Sequence, residues 1–325
     1  MRLQGNEASG QVRITFVGNQ DYSFCTEVHL SATLRDMGHE VVFCQENRTS
    51  VDGIMAEASK SDLMIYQRTW GHAQPLEFIR MLAILKSKGV KTASYHLDLY
   101  YGIRRQATVE GDPFWMTEYV FTPDGSAEAA AFFISRNINH HYIKPGVFRD
   151  ECRPGQVRPE LQHGVIFVGS EHAYHEEWPY RAELIGWLRN RYGSDFKRYG
   201  AGEDTKVMRG DDLNDLYASA TVVVGDSLCP GFTKDHYWSD RVYETLGRGG
   251  FLIHPYIKGL GEEFTDGEQL RFYEFNDWKG LDALINHYRE HPDEAKAIAA
   301  RGQDFVRENC TYHQRLAQAL NIMGF

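Results

Sequence analysis

The residues best suited to do chemistry lie in one run, Ser239-Asp240-Arg241-Val242-Tyr243-Glu244-Thr245-Leu246-Gly247-Arg248-Gly249-Gly250-Phe251-Leu252-Ile253. It reads as a short helix that starts on a cap, breaks at a glycine pair and runs into a buried strand. Ser239 is a good N-cap, and unpaired backbone N–H groups behind it would attract an anion. Arg241 and Glu244 stand three residues apart and so share one helix face. A cation beside an anion site, with a carboxylate one turn deeper, suits a nucleotide diphosphate: arginine for phosphate, glutamate for the ribose hydroxyls. The same spacing also fits a salt-bridged surface helix.

The elements that must position these side chains alternate between strand and helix. Val12 to Val17 is a β-branched and aromatic run that ends at Gly18-Asn19, a strand entering a tight loop. Phe24 to Met37 has helical apolar spacing and stops at Gly38-His39, and Glu40 to Cys44 is the next strand. Asp62 to Tyr66 and Val90 to Tyr95 are further buried strands around the amphipathic stretch Leu76 to Lys86. Tyr119 to Thr122 and an alanine-rich helix from Ser126 to Ile134 complete the first alternation. Between Lys144 and Gln162 the pattern gives way to proline, glycine and charge, the natural place for a domain boundary. A second alternation follows, with strands at Gly164 to Val168, Phe196 to Tyr199, Thr221 to Val224 and Phe251 to His254. Its helices run from Tyr180 to Tyr192, Leu213 to Ala218, Trp278 to Tyr288, Pro292 to Asn309 and Tyr312 to Ile322.

This is an α/β chain of two Rossmann-like domains in tandem facing a cleft, since strands alternating with helices form parallel sheets covered on both faces. The expected division is 1–155, 156–310 and a closing helix at 311–325 that packs back on the first domain. Ligands of such sheets bind at the strand C-termini, which gathers the Gly18 loop, the Gly169 loop and the Ser239 helix start around one cleft. Neither glycine loop is a G-x-G-x-x-G or Walker motif, so neither signals a nucleotide by itself.

Composition narrows the class. With 325 residues, 42% hydrophobic and 25% charged, the chain is an ordinary globular one of about two domains. Its net charge of −10 argues against broad nucleic-acid binding, although Arg149, Arg153 and Arg158 could line a local basic groove as well as a solvated linker. Five scattered cysteines (Cys25, Cys44, Cys152, Cys229 and Cys310) without a C-x-x-C pair fit free thiols in a reducing compartment. The first residues lack the apolar core of a signal peptide, and no apolar run approaches the ~20 residues of a membrane helix. A cytoplasmic location is the expectation.

The stretch from Trp238 through Leu252 resembles the nucleotide-sugar signature of group 1 glycosyltransferases, which have the two-domain GT-B fold. It is most similar to the branch related to spore-maturation glycosyltransferases, with S-x-R-x-x-E, a glycine pair and an apolar strand. Leu34-Arg35-Asp36-Met37-Gly38-His39-Glu40-Val41 resembles the L-x-x-x-G-H-E-V element of the same fold's first domain. Gly164-Val165-Ile166-Phe167-Val168-Gly169-Ser170 followed by Arg181 is similar to the start of its donor domain, and the tail from Asp293 through Arg315 to its closing helices.

The resemblance implies a hexosyl- or pentosyltransferase, retaining and metal-independent, with a nucleotide-diphosphate sugar as co-substrate and no other cofactor. It implies that Glu244 binds the donor ribose, while Arg241 and the backbone at Ser239 and Asp240 face the diphosphate. Gly18, Gly169, Ser170 and Arg181 join them on the donor side. Many members carry a second glutamate eight positions before the ribose one, where this chain has His236; His236 or Asp235 would then take over its contact to donor-sugar hydroxyls.

His96 and Asp98 follow the strand Val90 to Tyr95, and side chains at i and i+2 share a face. His96 could contact the donor sugar or phosphate and Asp98 could accept the acceptor's proton, which keeps an inverting route open. As bland alternatives, His96 is a satisfied core histidine and Asp98 a turn cap. Tyr95, Tyr100, Tyr101, Phe114 and Trp115, with Arg104 and Arg105, are either core or an acceptor platform. Asp211 to Tyr217 reads as a helix start with favourable acidic charge, or else the loop before it contacts the base.

No metal site is expected. There is no D-x-D, His172-Ala173-Tyr174-His175-Glu176 is not H-E-x-x-H, and His140-His141 lacks a carboxylate or cysteine at ligand spacing. The acceptor stays open among a modified nucleic-acid base, a protein, a lipid-linked sugar and a metabolite. Two rival readings share the scaffold: a sugar-nucleotide epimerase, and a sugar-nucleotide-binding or coat protein without turnover.

Overall fold

The computed structural model describes residues 10–171, 180–202, 205–226 and 234–325. In chain order the first half runs β1 (Arg13–Gly18), α1 (Thr26–Asp36), β2 (Glu40–Gln45), α2 (Val51–Ala58), β3 (Leu63–Tyr66), α3 (Pro75–Ser87), β4 (Lys91–Tyr95), β5 (Tyr119–Thr122), α4 (Ala127–Ile134) and β6 (His140–Tyr142). The second half runs β7 (Val165–Val168), α5 (Tyr180–Tyr192), β8 (Phe196–Tyr199), α6 (Gly210–Ser219), β9 (Val222–Val224), α7 (Arg241–Gly247), β10 (Leu252–Pro255), α8 (Lys258–Glu263), β11 (Arg271–Tyr273), α9 (Trp278–Glu290), α10 (Pro292–Asn309) and α11 (Tyr312–Ile322).

The strands form two all-parallel sheets, ordered β2-β1-β3-β4-β5-β6 and β11-β10-β9-β7-β8. Each begins in the middle and winds outward both ways, so each has a switch point between its first and third strands. That is where the loops after β1 and β7 diverge from those after β3 and β9, leaving a crevice for a ligand. Both sheets are therefore Rossmann-like.

Strand burial follows from that layering. All four residues of β3 are buried, with Leu63 and Ile65 in one hydrophobic cluster and Met64 and Tyr66 in the opposite one. A sheet covered on both faces has no solvent side, so its strands read as unbroken apolar runs. The second sheet repeats the arrangement, with Val165 and Phe167 against α5 and Ile166 and Val168 against α6 and α7. Helix α11 crosses back to the first sheet, where Tyr312, Leu316 and Leu320 share a cluster with Ile14, Phe16 and Tyr95.

Helix α7 ends as its glycine pair dictates. Gly249 has φ +83°, its N–H bonds to Leu246 O, and the Gly250 N–H bonds to Thr245 O at 2.8 Å. This closing turn satisfies the last carbonyls and needs a left-handed residue that glycine supplies without strain. The helix starts at Arg241 with Asp240 at its cap, one residue later than the sequence suggests.

Polar ties join the halves. Lys234 and Asp124 form a buried pair at 2.9 Å, and the Gly125 N–H donates to the His236 carbonyl at 2.9 Å. Arg315 on α11 holds Glu263 at 3.0 Å and donates to Pro145 O at 2.9 Å. Among the described residues no helix is long and apolar enough to cross a membrane. Cys25, Cys44, Cys152 and Cys310 are free thiols, while Cys229 and the His172 to Glu176 run lie outside the described residues.

Candidate active site

The site is built on the C-terminal end of β7 and the start of α7. Strand β7 hands over to Gly169, whose N–H donates to Tyr199 O at 2.7 Å. A β-carbon placed on Gly169 would sit 2.8 Å from Arg241 Nη1, so the bare glycine lets the guanidinium reach the strand end. Burial opposes the charge on Arg241, but the carboxylates of Glu244, Asp240 and Asp226 outweigh that and hold its pKa above the usual value. Among the described residues no ion pair and no side-chain hydrogen bond engages either Arg241 or Glu244. Their attraction is through space, which leaves both heads available to a ligand.

The start of α7 differs from the sequence expectation. Ser239 Oγ accepts from the Arg241 N–H at 3.2 Å and donates to Asp240 Oδ1 at 3.0 Å. The helix has only seven residues, and one of its first N–H groups is thus already satisfied. Anion attraction here comes from the Arg241 side chain rather than from a helix terminus. Asp240 carries an opposing charge: burial, and next the neighbouring Glu244, push its carboxyl up to about 6.

The structure places the other expected donor residues as follows. Arg181 is buried with Asp226 at 2.6 Å and reaches Ser170 Oγ at 3.3 Å, so its charge is already matched within the protein. Gly18 ends β1, where an added β-carbon would meet Glu27 Cγ at 2.9 Å; it makes room for α1. His236 lies between Asp235 at 3.0 Å and Glu262 at 3.2 Å. Burial works against its charge, yet those two carboxylates raise its pKa. With its carbonyl bonded to Gly125, His236 belongs to the junction between the halves.

Facing the α7 start is a cleft of about 380 Å³ lined by Glu27, Gln67, Thr69, His96, Asp98 and Arg105 from the first half and by Asp240 from the second. His96 Nδ1 accepts from the Asp98 N–H at 3.1 Å, which puts the proton of the neutral ring on Nε2. Burial lowers the pKa of His96 more than Asp98 raises it, and the ring packs edge-on to Tyr100 and Phe114. Asp98 Oδ2 is held by Arg105 Nη1 at 2.5 Å. His96 and Asp98 thus sit together at the strand end, one neutral and one ion-paired.

Several cleft residues escape the sequence reading. Glu46 is fully buried and accepts from Tyr66 Oη at 2.9 Å and from the N–H groups of Thr69, Trp70 and Gly71 at 3.0, 2.8 and 2.9 Å. One carboxylate thereby fixes the loop after β3. Glu27 is paired through Thr69 Oγ1, and burial raises its pKa. A first-turn acid one helix start beyond Gly18 was the only signal for Glu27, and Glu46 had none.

The aromatic set resolves toward core. Tyr95, Tyr100, Phe114 and Trp115 are each at most 4% exposed, and only Tyr101 is partly open. The proposed basic groove is likewise spent on ion pairs: Arg149 with Asp36, Arg153 with Asp211, and Arg158 with Glu160 and Asp212. Asp211 and Asp212 at the start of α6 serve those pairs. His140 bonds Thr122 Oγ1 at 2.7 Å and stacks on Phe133, while His141 lies against Phe121 across the sheet. Among the described residues no group of three or more His, Cys, Asp and Glu is arranged to hold a metal ion.

Two doubly wound domains whose sheet ends meet at one cleft make the GT-B fold, and residues 181–321 match the family model described as glycosyl transferase-like. The chain is similar in fold to an α-glucosyltransferase solved with UDP-glucose and DNA containing an abasic site. That likeness has TM-score 0.70 and 8% identity, over 97% of this chain and 100% of the other. It is similar also to HepE of Anabaena, solved with UDP and glucose (TM-score 0.59, 13% identity, 96% and 100% covered). A glycosyltransferase of Rickettsia africae has TM-score 0.58 and 13% identity, with 97% and 98% covered. No curated protein sequence matches the chain.

Proposed function

We propose that the chain moves a sugar from a nucleotide-diphosphate sugar to an acceptor hydroxyl. The observation that carries this reading is the unpartnered pair Arg241 and Glu244 at the end of β7, beside the cleft that Asp240 shares with His96 and Asp98. The structural relatives solved with UDP-glucose or UDP make a uridine donor the first to try.

In the transfer, the bond between the anomeric carbon and the phosphate oxygen breaks and its electron pair stays with the diphosphate. Arg241 takes up that charge from a partly buried position, where a fixed cation counts for more than in water. This is why we favour a metal-independent reaction. The acceptor oxygen bonds to the anomeric carbon and releases its proton. Asp98 is already held by Arg105, and His96 accepts from the Asp98 N–H, so neither stands as a free base. The leaving phosphate oxygen on the donor's own face then takes the proton, which means retention. Glu244 would anchor the ribose, His96 Nε2–H would donate to the sugar or phosphate, and the domains would divide the work between acceptor and donor sides.

The test is release of UDP from UDP-glucose in EDTA, first with water and then with an acceptor panel, followed by the anomeric coupling of any product. A non-catalytic sugar-nucleotide-binding protein is the second reading, and the Asp98–Arg105 pairing is the observation in its favour. Tight UDP-glucose binding with no release over days would select it.

A further inference from the structure

We infer that the acceptor is an uncharged saccharide, held by the cleft of the first half and by an aromatic rim at its mouth. This rests on the transferase reading above and adds the acceptor's chemical class.

Three observations converge. Gln67 lines the cleft, is only 5% exposed, and its Oε1 has no hydrogen-bond partner among the described residues. A buried acceptor left unpaired costs about 1–3 kcal/mol, so this amide calls for an O–H or N–H from a ligand. Glu27 stands in the same cleft with a second acceptor group.

The chain segments that flank the cleft-lining residues carry exposed aromatic rings. Trp70 follows the cleft-lining Gln67 to Thr69 and is 59% exposed. Tyr22, at 55%, and Phe24, at 44%, precede the cleft-lining Thr26 and stack on each other with centroids 5.4 Å apart. Arg209 of the second half lies over the Phe24 ring at 5.4 Å, which places that ring at the seam between the halves. Glu46 fixes the Trp70 backbone, so the indole is presented on a rigid loop and little order is lost on binding. Flat faces beside planar polar groups suit a pyranose, whose C–H face is apolar and whose rim carries hydroxyls.

Charge selects among flat ligands. Glu27 and Asp240 add carboxylates to the cleft, while its guanidiniums are committed, Arg105 to Asp98 and Arg68 to Asp112 at 3.1 Å. The chain as a whole carries −10, and Arg149, Arg153 and Arg158 are in ion pairs. A phosphate-bearing acceptor, nucleic acid above all, would find the arginines that line the cleft already matched by carboxylates.

The test is saturation-transfer NMR on the full chain, with and without UDP. The probes are methyl α-D-glucopyranoside, methyl β-D-galactopyranoside, methyl N-acetyl-β-D-glucosaminide and a short single-stranded oligonucleotide. The expected result is saturation of ring protons in at least one glycoside, with affinity reduced about five- to tenfold by Gln67→Leu and by Trp70→Ala. UDP affinity, read in the same samples, should stay within about twofold and reports that each variant is folded. A glycoside signal that both variants leave unchanged overturns the inference, as does binding of the oligonucleotide with no glycoside signal. Failure of UDP to bind the unaltered chain counts against the transferase reading alone, because the glycoside signal is read without UDP as well.

Discussion

Arg241 and Gly169 fit together across the mouth of the second sheet, with Nη1 at 2.8 Å from the place a β-carbon on Gly169 would occupy. The pairing explains why a glycine ends β7 where the backbone itself is not strained. It also ties the position of the Arg241 guanidinium to one absent methyl group. Gly169→Ala should therefore push the guanidinium aside and weaken UDP-glucose binding about tenfold, the scale of one charged hydrogen bond. Titration calorimetry measures this. Adding Arg241→Ala to Gly169→Ala should cost much less than Arg241→Ala alone, because both act on one group.

Asp240 gives the site a pH dependence. Its carboxyl is pushed up to about 6 by burial and then by Glu244, against about 3.9 in an unfolded chain. A carboxyl with its folded pKa raised binds its proton more readily in the native state. The stability it contributes is fully present below about 3.9 and is lost as pH rises through about 6. The same proton removes a negative charge near the diphosphate. UDP-glucose, whose phosphates do not titrate in this range, should bind severalfold tighter at about pH 5.5 than at about pH 7.5. Asp240→Asn should flatten that profile, and an unchanged profile would count against the placement of the diphosphate.

Asp98 distinguishes the two routes of transfer. It is held by Arg105, and the retaining route proposed above gives it no proton to take. Asp98→Asn should then lower kcat by about tenfold or less, whereas loss of a general base costs about 10²–10⁴. The rate of UDP release with a working acceptor decides between them.

Arg181 is expected to act on stability before it acts on the donor. Its pair with Asp226 has side chains 4% and 3% exposed. Arg181→Ala leaves a buried carboxylate without its partner, which costs about 3–5 kcal/mol. Denaturant melts should record that loss. A stable Arg181→Ala that has lost only UDP affinity would instead make Arg181 a donor contact.

How much of this was legible in the chain depends on distance along it. The Ser239 to Ile253 run is local: one helix face, one glycine turn and one strand, all readable from spacing. Long apolar strands such as β1 and β3 were equally plain, because a two-faced parallel sheet writes itself as an unbroken run. The polar three-residue strand β6 and the eight-residue helix α2, with Gly53 inside it, carry no such pattern. The buried pairing of Arg181 could not be read, because its partner Asp226 lies 45 positions away and only folding joins them. Glu46 shows the limit most clearly, since its function is to collect three backbone N–H groups from a loop more than twenty residues further on.

The central claim is that Arg241 and Glu244 hold a nucleotide diphosphate without a metal. Thermal melts in EDTA with UDP, UDP-glucose and the adenine and guanine counterparts test it most directly. One nucleotide family should raise the melting point, by an amount equivalent to about 2.7 kcal/mol at a hundredfold excess over Kd. Glu244→Ala should lose about 1.5–3 kcal/mol of that affinity. No rise with any nucleotide, or an equal rise in Glu244→Ala, would contradict the account.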